Sequence, residues 1–467
     1  MADTVEQPET GADSQSVQAE DLLGLNPDVI RDVIVALDTD DAPAIREIVE
    51  SLHPAEIADL IEMLRGSMRE QIIEHLRSNF DPVILAELDW NVRDEVAEQL
   101  GTETIAKAIA ALDSDDALNL ISALEETKQR RVLHAIPSAL RAMLEEGLAF
   151  PEDSAGRLMQ REFVAVPAFW TVGEVIDFLR ESEDLPDDFY DIFVVDPRHR
   201  LVGSAALNRV LRAKRPVQVR DIMERDMMSV PVAMDQEEVA YIFAQQDLLS
   251  APVVDGSGRL IGVIMIDDIV DVINEEAEED LMRLGGVHED DLYHAVVETG
   301  RSRFTWLFVN FGTAILASLV IGLFQGTLEQ LVMLAVLMPI AASMGGNAGT
   351  QTLTVAVRAL ATKELTTANA AKVLSKEVLV GIFNGVLFAI IVGGVAWVWS
   401  GSIGMGGVMA VAMVITLIVA GFAGAAIPLC LAKTRFDPAI ASGVFLTTVT
   451  DVVAFFVFLG LGALFLL

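Results

Sequence analysis

Within an apolar stretch of this 467-residue chain, the run MPIAASMGGNAGTQTLTVAVR over residues 338–358 carries two side-chain amides, Asn347 and Gln351. A single carboxylate, Asp451, lies in a second apolar stretch, flanked by Val449, Val452 and Val453, with no further charge up to Leu467. Both stretches, residues 331–361 and 439–467, exceed the roughly 20 residues a helix needs to cross a bilayer. An ionisable group at that depth is costly and by default functional. Amide and carboxylate oxygens are hard donors, the kind that magnesium-like cations prefer. The alternative for Asp451 is a structural acid that bonds a hydroxyl on a neighbouring helix.

The elements that would hold these groups are membrane helices. Pro339, Gly345, Gly346 and Gly349 predict a helix loosened or interrupted near the amides, because freed backbone carbonyls survive in a membrane only against protein or a water-filled path. Close helix packing through small residues is the other reading of the glycines.

Charge divides the chain. Residues 301–467 hold eight Lys/Arg and five acids, net +3, so the overall −37 leaves −40 on the first 300 residues. That excess argues against nucleic acid as a partner and for cations, although a solvated acidic face is the simpler explanation. Cys430 is the lone cysteine, so no intrachain disulfide is available. The polar, acidic opening residues do not read as a signal peptide, so the first span is expected to act as its own insertion signal.

Residues 1–22 read as a disordered acidic tail. From 23 to 150 apolar residues recur at helical spacing, as in Ile57, Leu60, Ile61 and Leu64, and the phrases LDTDDAPAIREIVESL and LDSDDALNLISALEET are alike. Degenerate repeats of this kind predict an all-α superhelical domain. The period then changes. Strand-like IFVVD (192–196) and residues 201–202 are echoed by APVVD (251–255) and residues 260–266. The two copies, 151–216 and 217–277, resemble tandem cystathionine-β-synthase (CBS) domains, α/β modules that often take adenine nucleotides, which makes ATP a candidate ligand. The first copy has Ala206 and Arg209 where such modules place a hydroxyl and an acid for the ribose. The second has Met265 and Asp268.

The run DDIVDVINEEAEED (267–280) has eight acids in fourteen residues. In a helix, Asp268, Asp271, Glu275 and Glu279 share one face, where like charges repel. Either this is a solvated face, or divalent cations bridge it to another acidic surface. A connecting helix over 278–303 leads to five spans, near 304–325, 330–358, 374–399, 405–432 and 438–466, which form a transmembrane domain from 304 to 467. Basic residues lie in the segments after the second and fourth spans and none in those after the first and third. The positive-inside rule therefore predicts a cytoplasmic N-terminal side and a C-terminus on the opposite face of the cell membrane.

This layout resembles the MgtE family of magnesium channels, most strongly at MPIAASMGGNAGTQ and DPAIASGVFLTTVTDVV. The resemblance implies that Asp451 recognises the hydrated ion with the backbone near Thr447, and that Asn347 and Gln351 line its path. It implies that Asp235, Asp247, Asp268, Asp271, Glu279 and Asp280 bind regulatory Mg2+, joined by Asp115 from the helical domain; Glu275 is added by the helix-face argument. Three positions depart from the family pattern: Val444 for a common Pro, Ala454 for a common Gly, and Asn119 for a second helical-domain acid.

One Asp per chain cannot surround a cation that takes about six oxygens, so a homodimer with the pore on its two-fold axis is expected. The function expected is passive Mg2+ influx, gated when cytoplasmic Mg2+ neutralises the facing acids. A proton- or sodium-coupled carrier and a non-transporting nucleotide or ion sensor are the alternatives. The six histidines are scattered and no nucleophile has a base at motif spacing, so an enzyme is not expected.

Overall fold

The computed structural model describes residues 25–182, 185–186, 188–287, 296–434 and 438–467. The expected tail over 1–22 and part of the 278–303 segment lie outside the described residues. The chain divides into two compact units, Met1–Val272 and Ile273–Leu467.

In the first unit, ten short helices run from α1 (Pro27–Asp38) to α10 (Ser138–Leu148). Their starts are written in the sequence. Asn26, Asp41 and Asp81 each accept a hydrogen bond from a backbone N–H of the following turn, which satisfies donors that a helix leaves open at its N-terminus. Leu60, Ile61, Ile72, Leu85 and Ile109 are buried in one continuous core.

Two three-stranded sheets follow, β1 (Ala165–Pro167), β2 (Asp191–Val195), β3 (Leu201–Ala206) and β4 (Val230–Pro231), β5 (Ser250–Val254), β6 (Leu260–Met265). In each, the first pair is parallel and the second antiparallel, with Phe193 opposite Ser204 and Val253 opposite Gly262. The internal repeat extends to the hairpin turns, where Asp196 accepts from the N–H groups of Arg198 and Arg200, and Asp255 from those of Ser257 and Arg259. Strand β3 runs four residues past the two that the sequence pattern marked, because Ala205 and Ala206 continue the pairing with Ile192 and Asp191.

Helix α16 (Ile266–Gly285) begins directly after β6. The connecting helix drawn from residue 278 is the continuation of this helix, since nothing between Asp267 and Leu284 is Gly or Pro. Gly286 ends it with φ +67°, and the Trp306 indole lies so close that a Cβ there would meet Nε1.

The second unit carries α17 (Val296–Gly322), the short α18 (Gln325–Gln330), α19 (Val332–Ala361), α20 (Ala370–Ser400), α21 (Ile403–Leu431) and α22 (Pro438–Phe465). Five of these helices are long and apolar enough to span a membrane. Helix α21 is the hub, packed against α19, α20 and α22. Helix α19 runs unbroken through Pro339 and the glycines, so the expected interruption is absent. A helix keeps its backbone bonds wherever lipid offers no substitute. The glycines serve close approach: a Cβ at Gly345 would meet Thr416, and one at Gly424 would meet the Gly349 carbonyl at 2.7 Å.

Candidate functional site: a polar membrane face and an acidic junction

Asn347 and Gln351 sit one helical turn apart on α19, and both are exposed. Ser343, Thr350 and Thr354 are exposed on the same side, since spacings of four, seven, eight and eleven residues return to one face. Sequence reasoning missed these three hydroxyl residues, although the spacing from Asn347 was there to read. On α22, Thr447 is exposed and Asp451, one turn on, is partly exposed. Thr447 donates its hydroxyl to the Gly443 carbonyl. Among the described residues, the Asp451 carboxylate has no hydrogen-bond or ion-pair partner, so the structural alternative of a bond to a neighbouring hydroxyl is not realised within the chain.

Amides and a carboxylate left uncovered on apolar helices need water, an ion or a second protein surface. The departures Val444 and Ala454 are both buried, Ala454 fully. Each therefore acts on packing behind the stripe and presents no group on it.

The acids of the first unit form a different arrangement. Asp115, the second residue of α8 (Ser114–Ala123), is buried, and its environment includes Asp268 near the start of α16. Burial, then repulsion from Asp115, Asp267 and Asp116, drives the Asp268 carboxyl well above the usual carboxylate range. Asp115 is raised by burial and then by Asp116. Asp116 is pushed up to about 6 by burial, then by Asp113 and Glu87, and Asp271 is raised by burial and by Asp267. Adjacent to this cluster, the buried Ser114 hydroxyl donates to Glu162 at 2.6 Å and accepts from the Arg161 N–H.

The other acids named from the sequence are spread out. Asp235 caps the start of α15 (Gln236–Gln246) by accepting from the Glu237 N–H, and Asp247 ends it in a left-handed conformation, so they lie at opposite ends of one helix. Glu275, Glu279 and Asp280 follow along α16, where Glu279 pairs with Arg283. Asn119 is exposed on α8. Among the described residues no group of three His, Cys, Asp or Glu side chains is closed tightly enough to hold a metal ion.

A cleft in the CBS region, lined by Gln160, Tyr190, Asp191, Ser250 and Met265, has room of only about 10 Å³. In it Asp191 accepts from the Ser250 hydroxyl at 2.8 Å, and burial raises its carboxyl. Nothing in the sequence pattern singled out this pair.

Five membrane helices, a CBS region, an acidic junction and an uncovered oxygen-bearing stripe define a multi-pass transporter of divalent cations, and the comparisons agree. Residues 338–461 match the family described as divalent cation transporter (MgtE), 52–153 match the MgtE intracellular N domain, and 219–275 match the CBS domain. The magnesium transporter MgtE of Thermus thermophilus is 32% identical over 92% of this chain and 97% of its own length. That of Bacillus subtilis is 27% identical over 94% and 98%. A crystal structure of the cytosolic domain of the Mg2+ channel MgtE in complex with ATP is 32% identical, covers 52% of this chain and 99% of that one, and has a TM-score of 0.48. The chain belongs to the MgtE family of magnesium transporters.

Proposed function

We propose that the chain is a passive Mg2+ channel that works as a homodimer, with its pore where the stripes of two copies meet on a two-fold axis. The uncovered face carries this reading: Thr447, Asn347 and Gln351 lie on exposed positions of apolar helices and Asp451 on a partly exposed one, and a second copy would cover them while doubling the oxygens around a hydrated cation. Asp451 takes the ion's water shell, and the amides complete the lining.

Gating falls to the cytoplasmic acids, in a chain whose N-terminal side faces the cytoplasm. Helical domain (23–150), CBS pair (151–277) and connecting helix (278–303) act in series on the membrane domain (304–467). Mg2+ at Asp115, Asp268, Asp271, Asp235, Asp247, Glu275, Glu279 and Asp280 relieves their repulsion and closes the pore; its loss lets them separate. The packing of Leu284, near the end of α16, with Leu353, Val357, Ala423 and Leu446 supports a mechanical link, since Leu446 lies on α22 five residues before Asp451. ATP binding at the CBS region would require the Asp191–Ser250 cleft to widen, since as it stands it holds about one water.

The test is Mg2+ uptake into vesicles carrying the full-length protein or Asp451→Ala, with proton and sodium gradients present or collapsed. Uptake that persists without those gradients and disappears in the variant is expected. Undiminished uptake in Asp451→Ala rejects the pore assignment, and uptake that stops with a gradient rejects passive conduction.

A further inference from the structure

A second carboxylate lies inside the membrane spans, and the reading above does not use it. Glu377, in the third turn of α20, has a side chain only 12% exposed. Its Oε2 accepts the hydroxyl of Thr352 on α19 at 3.2 Å, and its Oε1 lies 3.8 Å from Nζ of Lys376, whose own side chain is 72% exposed. This bond departs from the habit of its neighbours. The hydroxyls of Thr354, Thr447, Thr448 and Thr450 each donate back to the carbonyl four residues earlier on their own helix. Thr352 alone among these donates across to another helix.

The approach is built by α21. A Cβ at Gly421 would meet the Glu377 carbonyl oxygen at 2.7 Å, and one at Gly424 would meet the Thr352 Cβ at 2.8 Å. Two glycines one turn apart thus let α20 and α19 press onto the same part of α21, close enough for a side chain of one to reach the other. Thr352 follows Gln351 directly, so their side chains leave the helix about 100° apart. A bond that ties Thr352 to α20 therefore sets where Gln351, and Asn347 one turn earlier, must point.

We propose that Glu377 is a positioning residue for magnesium transport: by accepting the Thr352 hydroxyl it fixes the rotation of α19 and holds the Asn347 and Gln351 amides on the uncovered face. The acceptor has to be strong, because a neutral hydroxyl in a membrane has its own backbone carbonyl as a competing partner. The partly buried carboxylate supplies that strength and is stabilised by Lys376 beside it. The inference rests on the reading of that face as the ion path.

The test uses full-length protein in vesicles and measures initial Mg2+ uptake against external concentration for Thr352→Val, Glu377→Ala, their double variant, Thr352→Ser and Glu377→Gln. Thermal unfolding of each purified protein is followed alongside. A bond between membrane helices of this kind corresponds to a change of roughly threefold to tenfold. Thr352→Val and Glu377→Ala should each raise the half-saturating Mg2+ concentration by that factor, and the double variant should be no worse than either alone. Thr352→Ser, which keeps donor and acceptor, should lie within about twofold of the unaltered protein, and Glu377→Gln, which keeps a weaker neutral acceptor, should fall between the unaltered protein and Glu377→Ala.

Additive losses in the double variant would overturn the proposal. So would Glu377→Gln as impaired as Glu377→Ala, or loss of uptake that only tracks the unfolded fraction. If Thr352→Val is normal while Asp451→Ala is inactive, the positioning role alone fails. If Asp451→Ala is also normal, the reading of the face has failed first.

Discussion

The acidic junction and the membrane stripe both present carboxylates, but in opposite company. At the junction Asp115, Asp116, Asp267 and Asp268 stand near one another and repel, with Asp115 buried, Asp116 and Asp268 half-buried and Asp267 exposed. On the membrane face Asp451 is partly exposed and is the one acid on α19 or α22. A cluster of like charges stores an unfavourable energy that a cation releases, so its occupancy changes the shape or stability of what holds it. A lone acid among neutral oxygens stores little and suits brief contact with an ion that must leave again. The first arrangement fits a sensor and the second a path.

Several measurements would break or sharpen this contrast. The largest effect is expected at the stripe. Asp451→Asn keeps shape and removes charge, and should lower Mg2+ uptake by roughly a hundredfold, because a unit charge in a partly dehydrated site is worth several kcal/mol to a dication. Activity within a fewfold of normal would put the stripe and the junction on the same footing. Next comes the packing behind the stripe. Gly424→Leu forces a side chain into the Gly349 carbonyl and the Thr352 side chain, and should destabilise the purified membrane protein by about 1–3 kcal/mol, read as a lower unfolding temperature.

At the junction the sign reverses. Asp268→Asn removes a carboxyl whose ionised form is disfavoured by burial and by its acidic neighbours, so it should raise the unfolding temperature without Mg2+ by a few degrees and shrink the further rise that Mg2+ produces. A loss of stability would show that the junction carries a favourable bond and not a strain.

The pH dependence follows from the same shifts. Asp115, Asp116 and Asp268 have folded-state pKa values raised above those of the unfolded chain. Their protonation therefore stabilises the fold most below the usual carboxylate value of about 4. This contribution fades as pH rises through the value near 6 of Asp116 and then through those of its partners. Without Mg2+ the first unfolding transition should move down as pH rises from about 4 to about 9, and Mg2+ should flatten that slope. A flat profile in the ion's absence would refute the clustering. The smallest effect belongs to Asn119→Asp on the exposed side of α8, within about 0.5 kcal/mol, detectable only as a slightly larger Mg2+-induced shift.

How much of this was legible beforehand varied with the range of the cause. The superhelical domain, the two sheets and the five spans follow from local pattern: a period of 3.6 in Ile57, Leu60, Ile61 and Leu64, a short apolar, β-branched run in IFVVD, and sheer length in the apolar spans. Asp451, Asn347 and Gln351 stood out because polar groups are rare in such runs. The continuity of α19 did not, because Pro339 and the glycines weigh against helix locally while Thr416, Leu446 and Gly424, all distant in sequence, are what the glycines fit. The same holds for Asp191 with Ser250 and Glu377 with Thr352, pairs 59 and 25 residues apart. No spacing rule connects them, since only the folded chain makes them neighbours.

The central place of α21 has a consequence in time. Helices α19 and α20 scarcely touch each other, yet both lie against α21, which is synthesised after them. At ~5–20 residues per second, the glycines of two inserted spans must wait in lipid for seconds until their shared partner arrives. The bundle thus cannot zip up from its first segment. It closes late, around its fourth, and a chain halted once α20 has entered the membrane would hold α19 and α20 without the helix on which both pack.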